Sequence, residues 1–201
     1  MAAPELEGRL RFRLDRPRPA LGRTRCRGLR SLASGVVDLR PATLADADAI
    51  RAIYNRAVLE TATTFDLVPR TRADQEHYIT SRSGALAVLV AEADHEGSTR
   101  ITGFGSLSFY RDRAGYRTSV ENSVYVDRDF VRLGVGDLLL SGLLEEAREH
   151  GFHAVFARII DAQAPSMALH YKHGYELIGI EREVGRKFGK WRDVALLQKL
   201  L

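Results

Sequence analysis

The chain has 201 residues, 45% hydrophobic and 28% charged, a composition that suits one domain with a substantial core and excludes disordered and fibrous classes. No apolar run approaches the roughly 18 residues of a membrane helix, and the single cysteine, Cys26, excludes an internal disulfide framework and a cysteine-rich zinc site. The formal charge of +4 is unevenly placed: residues 1–35 hold nine arginines against Glu5, Glu7 and Asp15, which leaves the remainder close to −2.

That arginine-rich segment lacks the apolar centre of a secretory signal, and only in part has the character of an organellar transit peptide. With Phe12 as its one aromatic residue, it also lacks the stacking groups of a nucleic-acid arm. It reads as a disordered leader over 1–35 ahead of a domain at 36–201, with Val36 or Val37 as an alternative first codon. Neither nucleic acid nor membrane is an expected partner, no metal is expected, and the lone cysteine suits a reducing, cytoplasmic compartment.

Periodicity begins at the domain. Residues 36–42 (VVDLRPA) read as a strand, and Thr43 and Asp46 have the spacing of a capping box before Ile50, Ile53, Tyr54, Ala57 and Val58, an amphipathic helix pattern. A second helix is expected over 71–82. Strands follow at 85–93 and 100–111, joined by the turn HEGS, and at 118–128. A helix over 135–150 should close at Gly151. Then come a strand at 152–160, a short helix at 165–173, and strands at 175–183 and 193–201. A hairpin meander followed by alternating strands and helices implies an α/β fold, a mixed sheet with helices on both faces.

Between the strand at 118–128 and the helix after it stands DFVRLGVGDLLL, with Gly134 and Gly136 beside the first helical turn. Such a loop can expose backbone N–H groups to an anion, with the helix dipole adding attraction. It can equally be an ordinary turn. It is neither a Walker loop nor a dinucleotide fingerprint.

Six stretches, in order, carry a resemblance to a known family: RPAT.AD...I..IYN.AV (40–58), TATTFD (61–66), VENSVYVDRDF (120–130), LGVG (133–136), ALHYKHGYELIG (168–179) and EVGRKFGKWRDV (183–194). Together they resemble the GNAT superfamily of acetyl-CoA-dependent N-acetyltransferases, and within it the phosphinothricin/methionine sulfoximine acetyltransferase group, over about residues 37–201. The resemblance implies a mostly antiparallel GNAT sheet, acetyl-CoA as cosubstrate, a small-molecule amine acceptor and a homodimer. It implies that Arg132, Leu133, Gly134, Val135, Gly136 and Asp137 form the coenzyme A pyrophosphate loop, with Gln163 and Lys172 as further cofactor contacts. Two departures stand out. The family loop begins with Gln or Arg followed by Gly, where this chain has Val131 and Arg132, and it has Asn where this chain has Gln163.

The chemistry needs a neutral amine, a polarised thioester, a stabilised oxyanion and a protonated thiolate, and no nucleophilic residue. Glu121, inside an otherwise apolar strand, is the candidate base, since burial raises a carboxyl pKa towards neutrality; the resemblance places a catalytic Glu there. His170 is the second candidate, as acid or relay, with Tyr171 and Tyr175 as neighbours; a core role for this histidine is equally open. Val124, Tyr125 and Val126 would offer backbone N–H groups if the strand edge is open. For the acceptor, Arg113 and Tyr116 match the group's positions, a guanidinium suits a carboxylate or phosphinate, Phe65 would form a pocket wall, and Lys187 lies in a loop that resembles the acceptor side of the family. Retention of Glu121 and His170 favours N-acetylation of an amino-acid-like acceptor. The alternatives are a non-catalytic acyl-CoA sensor and an acetyltransferase for a protein N-terminus or an antibiotic.

Overall fold

The structure is a computed structural model that describes residues 37–201, apart from positions 87 and 96, and the backbone of Thr24–Arg25. The leader expectation otherwise lies outside the described residues. Thr24–Arg25 form a two-residue strand β1, paired antiparallel with β2 (Val37–Pro41) at Leu39 and Asp38. Then follow α1 (Ala47–Glu60), α2 (Arg72–Thr80), β3 (Leu89–His95), β4 (Ser98–Phe109), β5 (Ser119–Val126), α3 (Val135–Glu149), β6 (Ala154–Ile160), α4 (Ala164–Lys172), β7 (Glu176–Lys187) and β8 (Lys190–Leu200).

The strands form one sheet in the order β1-β2-β3-β4-β5-β6-β8-β7. Every neighbouring pair is antiparallel except β5 and β6, which run parallel. The expected mixed, mostly antiparallel sheet is thus present, and each face has its own core. On one face α3 buries Leu139, Leu140 and Leu143 against Val37, Ala91, Leu107 and Val155. On the other, α1 and α2 bury Ile50, Ile53, Tyr54, Val58 and Ile79 against Val90 and Phe104. The α1 positions are the ones its sequence period marks as apolar.

The helix ends follow local chemistry. The Asp46 carboxylate accepts the Thr43 N–H at 2.7 Å and its hydroxyl at 3.0 Å, so the expected box is made, on a single 3-10 turn (Leu44–Asp46) that leads into α1. Arg40 binds the same carboxylate through both terminal nitrogens at 2.8 and 2.9 Å, and reaches Glu92 on β3 at 2.8 Å. This ties the start of α1 to the sheet. Helix α3 stops at His150, and the left-handed Gly151 (φ 76°) follows as expected. One boundary differs: Gly84–Leu86 form a 3-10 turn, and β3 starts only at Leu89. The apolar run at 85–93 contains both the lead-in and the strand, and hydrophobicity alone does not separate them. β7 and β8 also reach further towards their connecting turn than expected, to Lys187 and Lys190.

Candidate active site

The site is organised by the point where β5 and β6 part. Their parallel register runs through Ser119–Ala154 and Val120–Val155 and ends at Glu121–Phe156. β5 remains paired with β4 as far as Val126. Beyond Glu121 its other edge therefore has no strand partner among the described residues. Bonds at the two ends of the β4–β5 ladder, Tyr110 N–H to Ser119 O and Asp127 N–H to Thr102 O, set the alternation. Glu121, Ser123 and Tyr125 exchange bonds with β4, whereas Asn122, Val124 and Val126 turn their N–H groups to the opening.

Val124 and Val126 thus present their N–H groups to the open edge, and Tyr125 does not. Its N–H is directed to β4, and its ring lies in the α1 core, stacked on Phe104 at 5.1 Å and edge-on to Tyr54 at 5.2 Å. Burial pushes its hydroxyl pKa up.

Glu121 is the last paired residue before the opening, on the sheet face that carries Tyr125 and α1. Burial raises its carboxyl pKa, the Arg158 charge offsets part of that, and the Glu181 charge adds to it. Arg158 of β6 and Glu181 of β7 form an ion pair with each other. Opposite Glu121, Phe156 stacks on Tyr110 at 3.9 Å, and Tyr110 meets Tyr116 edge-on at 5.8 Å. This aromatic row connects the exposed Tyr116 to the neighbourhood of the carboxylate. Arg113 is exposed at the head of the same loop, and its carbonyl accepts the Tyr116 N–H at 2.9 Å.

On the other face, α3 begins at the opening. Gly134 takes φ 84°, and the first intrahelical bond runs from Leu138 N–H to Gly134 O at 3.0 Å. The N–H groups of Val135, Gly136 and Asp137 therefore have no intrahelical acceptor. Leu133 packs against the α3 core, and Val135 is buried in it. Arg132, where the resemblance implies glycine, is itself left-handed at φ 63°, a conformation that costs an L-residue about 1 kcal/mol. Val131 beside it is exposed. The Asp137 carboxylate accepts Lys172 Nζ at 2.6 Å and His173 Nε2 at 2.9 Å. Burial raises its pKa, but these two bonds outweigh burial and hold it below the usual range. Lys172, expected at the cofactor, thus clasps α4 to α3 and neutralises a carboxylate that would otherwise repel an anion here. Gln163 is the N-cap of α4, half-buried, with its carbonyl bonded to Met167 N–H.

His170 departs from the expectation of an acid. It is 4% exposed. Its Nδ1–H donates to Ser166 O at 2.8 Å, which fixes a tautomer whose Nε2 accepts from Asn122 Nδ2 at 3.0 Å. The Asn122 Oδ1 in turn accepts the Tyr175 hydroxyl at 2.8 Å. Burial lowers the imidazole pKa, with the Ser166 bond working the other way. Both nitrogens are thus spent, in a neutral ring on the sheet face opposite Glu121. Lys187 differs too. It is 3% exposed, and its Nζ donates to Thr64 O at 2.7 Å and Asp66 O at 3.0 Å. It holds the loop between α1 and α2 and does not face solvent. Phe65, the expected wall, lies in that loop.

Asn122, Tyr110, Phe156, Arg158 and Glu181 are site residues that the sequence pattern alone does not single out. Two of them leave a trace in it. Asn122 interrupts the apolar alternation of Val120, Val124 and Val126, and Arg158 interrupts an otherwise apolar strand. A polar residue at a core position requires a partner.

Residues 39–196 match the family model of the acetyltransferase (GNAT) domain. The chain belongs to the GNAT acetyltransferase family. It is 35% identical over 160 residues to the L-methionine sulfoximine/L-methionine sulfone acetyltransferase of Pseudomonas aeruginosa, covering 80% of this chain and 92% of that protein. It is 33% identical over 165 residues to the phosphinothricin N-acetyltransferase of Streptomyces coelicolor, covering 82% and 96%. The crystal structure of a GNAT phosphinothricin acetyltransferase from Sinorhizobium meliloti in complex with acetyl-CoA superposes with a TM-score of 0.75 at 33% identity, covering 82% of this chain and 88% of that one. This GNAT N-acetyltransferase exposes backbone donors at two places beside the opening. The open β5 edge carries N–H donors, and the left-handed turn into α3 presents three more beside a carboxylate paired with Lys172 and hydrogen-bonded by His173.

Proposed function

We propose that this acetyltransferase transfers the acetyl group of acetyl-CoA directly to the α-amine of a small amino-acid-like acceptor of the phosphinothricin or methionine sulfoximine type. The observation that carries this reading is Glu121 at the apex of the opening, with its pKa raised by burial, next to the unpaired edge of β5. When bound, acetyl-CoA supplies an activated acyl carbonyl and a thiolate leaving group. The chain's own work is to position, to exclude water and to move one proton. Glu121 accepts a proton from the acceptor ammonium and leaves a neutral amine able to attack, and the second amine proton, released as the amide bond forms and the C–S bond breaks, passes to the departing thiolate. The N–H groups of Val124 and Val126 hold the acyl carrier along the edge, and those at the start of α3, with Arg132, take its diphosphate. Arg158 and Arg113 are the guanidinium groups on the acceptor side, suited to a carboxylate. His170 acts through Asn122 as a positioning residue for β5 and not as the acid.

The test is thiol release from acetyl-CoA against a panel of amino acids and analogues that includes phosphinothricin and methionine sulfoximine. Turnover with at least one α-amino acid, and none with its N-blocked form, is the expected result. Acetyl-CoA binding without transfer to any amine would replace this reading with that of an acyl-CoA sensor.

A further inference from the structure

Lys187 presents a problem that the proposed reaction does not absorb. The residue is 3% exposed, and burial lowers the pKa of its ammonium, with the Asp66 charge working the other way. Its hydrogen bonds go to two backbone carbonyls, Thr64 O at 2.7 Å and Asp66 O at 3.0 Å. These carbonyls flank a single residue, Phe65. Two positions earlier on β7, Gly185 lies directly under that ring: a Cβ at Gly185 would fall 2.4 Å from Phe65 Cζ. One short stretch of β7 therefore supplies a seat for the Phe65 ring and a clamp on the main chain at both sides of it.

The rest of the α1–α2 loop is tied down independently. The Tyr54 hydroxyl donates to the Asp66 carboxylate, so Asp66 is held through its side chain from α1 and through its carbonyl from β7. Further along, Asn55 makes a two-way bond with the Arg70 backbone, Nδ2 to O and N–H to Oδ1, each 2.8 Å. The Arg70 guanidinium lies over the rings of Tyr54 at 3.8 Å and Tyr78 at 4.2 Å. Asn55 of α1 thus anchors the far end of the loop through the Arg70 backbone, and the Arg70 side chain packs it on Tyr54 and Tyr78. Lys187 bonds it to the distant strand β7, beside the Gly185 seat of the Phe65 ring.

We infer that Lys187 is a positioning residue for the acceptor: its buried ammonium pins the loop at residues 61–71 to β7 and so fixes Phe65 as the wall of the acceptor pocket. This rests on the acceptor-side reading proposed above. The loop belongs to the face that carries Glu121, Arg158 and Glu181, whereas the cosubstrate parts are the β5 edge and the start of α3. Loss of the pin should therefore affect one substrate and not the other.

The experiment measures both Michaelis constants, together with hydrogen exchange of residues 61–71, in Lys187→Met and Lys187→Gln. Methionine keeps length and bulk without a donor, and glutamine restores two N–H donors one atom short. In Lys187→Met the acceptor KM is expected to rise roughly tenfold or more, because a wall displaced by an ångström misplaces the amine. The acetyl-CoA KM should stay within about twofold. Exchange should quicken in 61–71 and not in the sheet, and Lys187→Gln should recover part of each effect. A parallel rise in both KM values with faster exchange throughout would show a merely structural lysine, and unchanged values with unchanged exchange would equally overturn the inference. Should Lys187→Met not fold, Gly185→Ala unseats the same ring with the lysine in place; an unaltered acceptor KM in that variant would overturn the inference. A wild type that acetylates no amine refutes the proposed function, and the exchange measurement then decides the pin on its own.

Discussion

At the scale of single residues, the proposed base Glu121, with Arg158 and Glu181 near it, would make the chemistry depend on pH in a definite direction. Burial raises the Glu121 pKa, so the folded state binds its proton more tightly than the unfolded chain does. Its effect on stability is absent below the ordinary carboxylate range and becomes a cost as pH rises through the raised value. For catalysis the same shift moves the acid limb of kcat/KM upward, since only the ionised carboxylate accepts a proton. Arg158 opposes the shift and Glu181 reinforces it. Arg158→Met should therefore move the acid limb to higher pH and Glu181→Gln to lower pH, as read from pH–rate profiles of the two variants. If neither moves the limb, these charges do not act on the base. His170 carries the complementary lesson. Its type and its place in a helix suggest an acid, yet an imidazole with Nδ1–H on Ser166 O and Nε2 on Asn122 has no nitrogen left for a proton relay.

At the scale of elements, the turn into α3 is the clearest case of backbone fitted to an anion. Gly134 at φ 84° allows the first-turn N–H groups to stand clear, and Gly134→Asp would place a carboxylate beside them. Repulsion and lost space should weaken acetyl-CoA binding by about 2 kcal/mol, roughly thirtyfold, by calorimetric titration. Unaltered affinity in a folded variant would remove the loop from the cosubstrate site. This element is legible in the amino-acid sequence, because glycines ahead of a leucine-rich helix follow from local rules. So are α1, with its apolar positions at helical spacing, and β5, where Val120, Val124 and Val126 alternate with polar residues. The end of the β5–β6 pairing at Glu121 is not legible there, since it depends on how two strands far apart in sequence diverge. Nor is the destination of Lys187, which bonds residues more than a hundred positions away. Sequence spacing carries no information about such a contact. Tyr125 differs from expectation for a related reason: the edge a backbone N–H faces depends on the register with β4.

At the scale of the whole molecule, the proposed reading divides two tasks between the faces of one sheet. The α1–α2 face carries Glu121, the aromatic row ending at Tyr116 and the pinned loop with Phe65; the α3 side carries the helix start and its neutralised Asp137. The opening between β5 and β6 is where the two sides communicate, and Glu121 stands at its apex. Binding of the cosubstrate and removal of the proton should therefore be separable functions of different elements. Glu121→Gln tests this most directly, since it preserves shape and hydrogen-bonding reach while removing the ability to accept a proton. With an acceptor that the wild type turns over, kcat/KM should fall roughly a hundredfold or more, the acid limb should vanish, and acetyl-CoA affinity should remain within about twofold. A variant that keeps the wild-type rate and pH profile would contradict the assignment of Glu121 as the base.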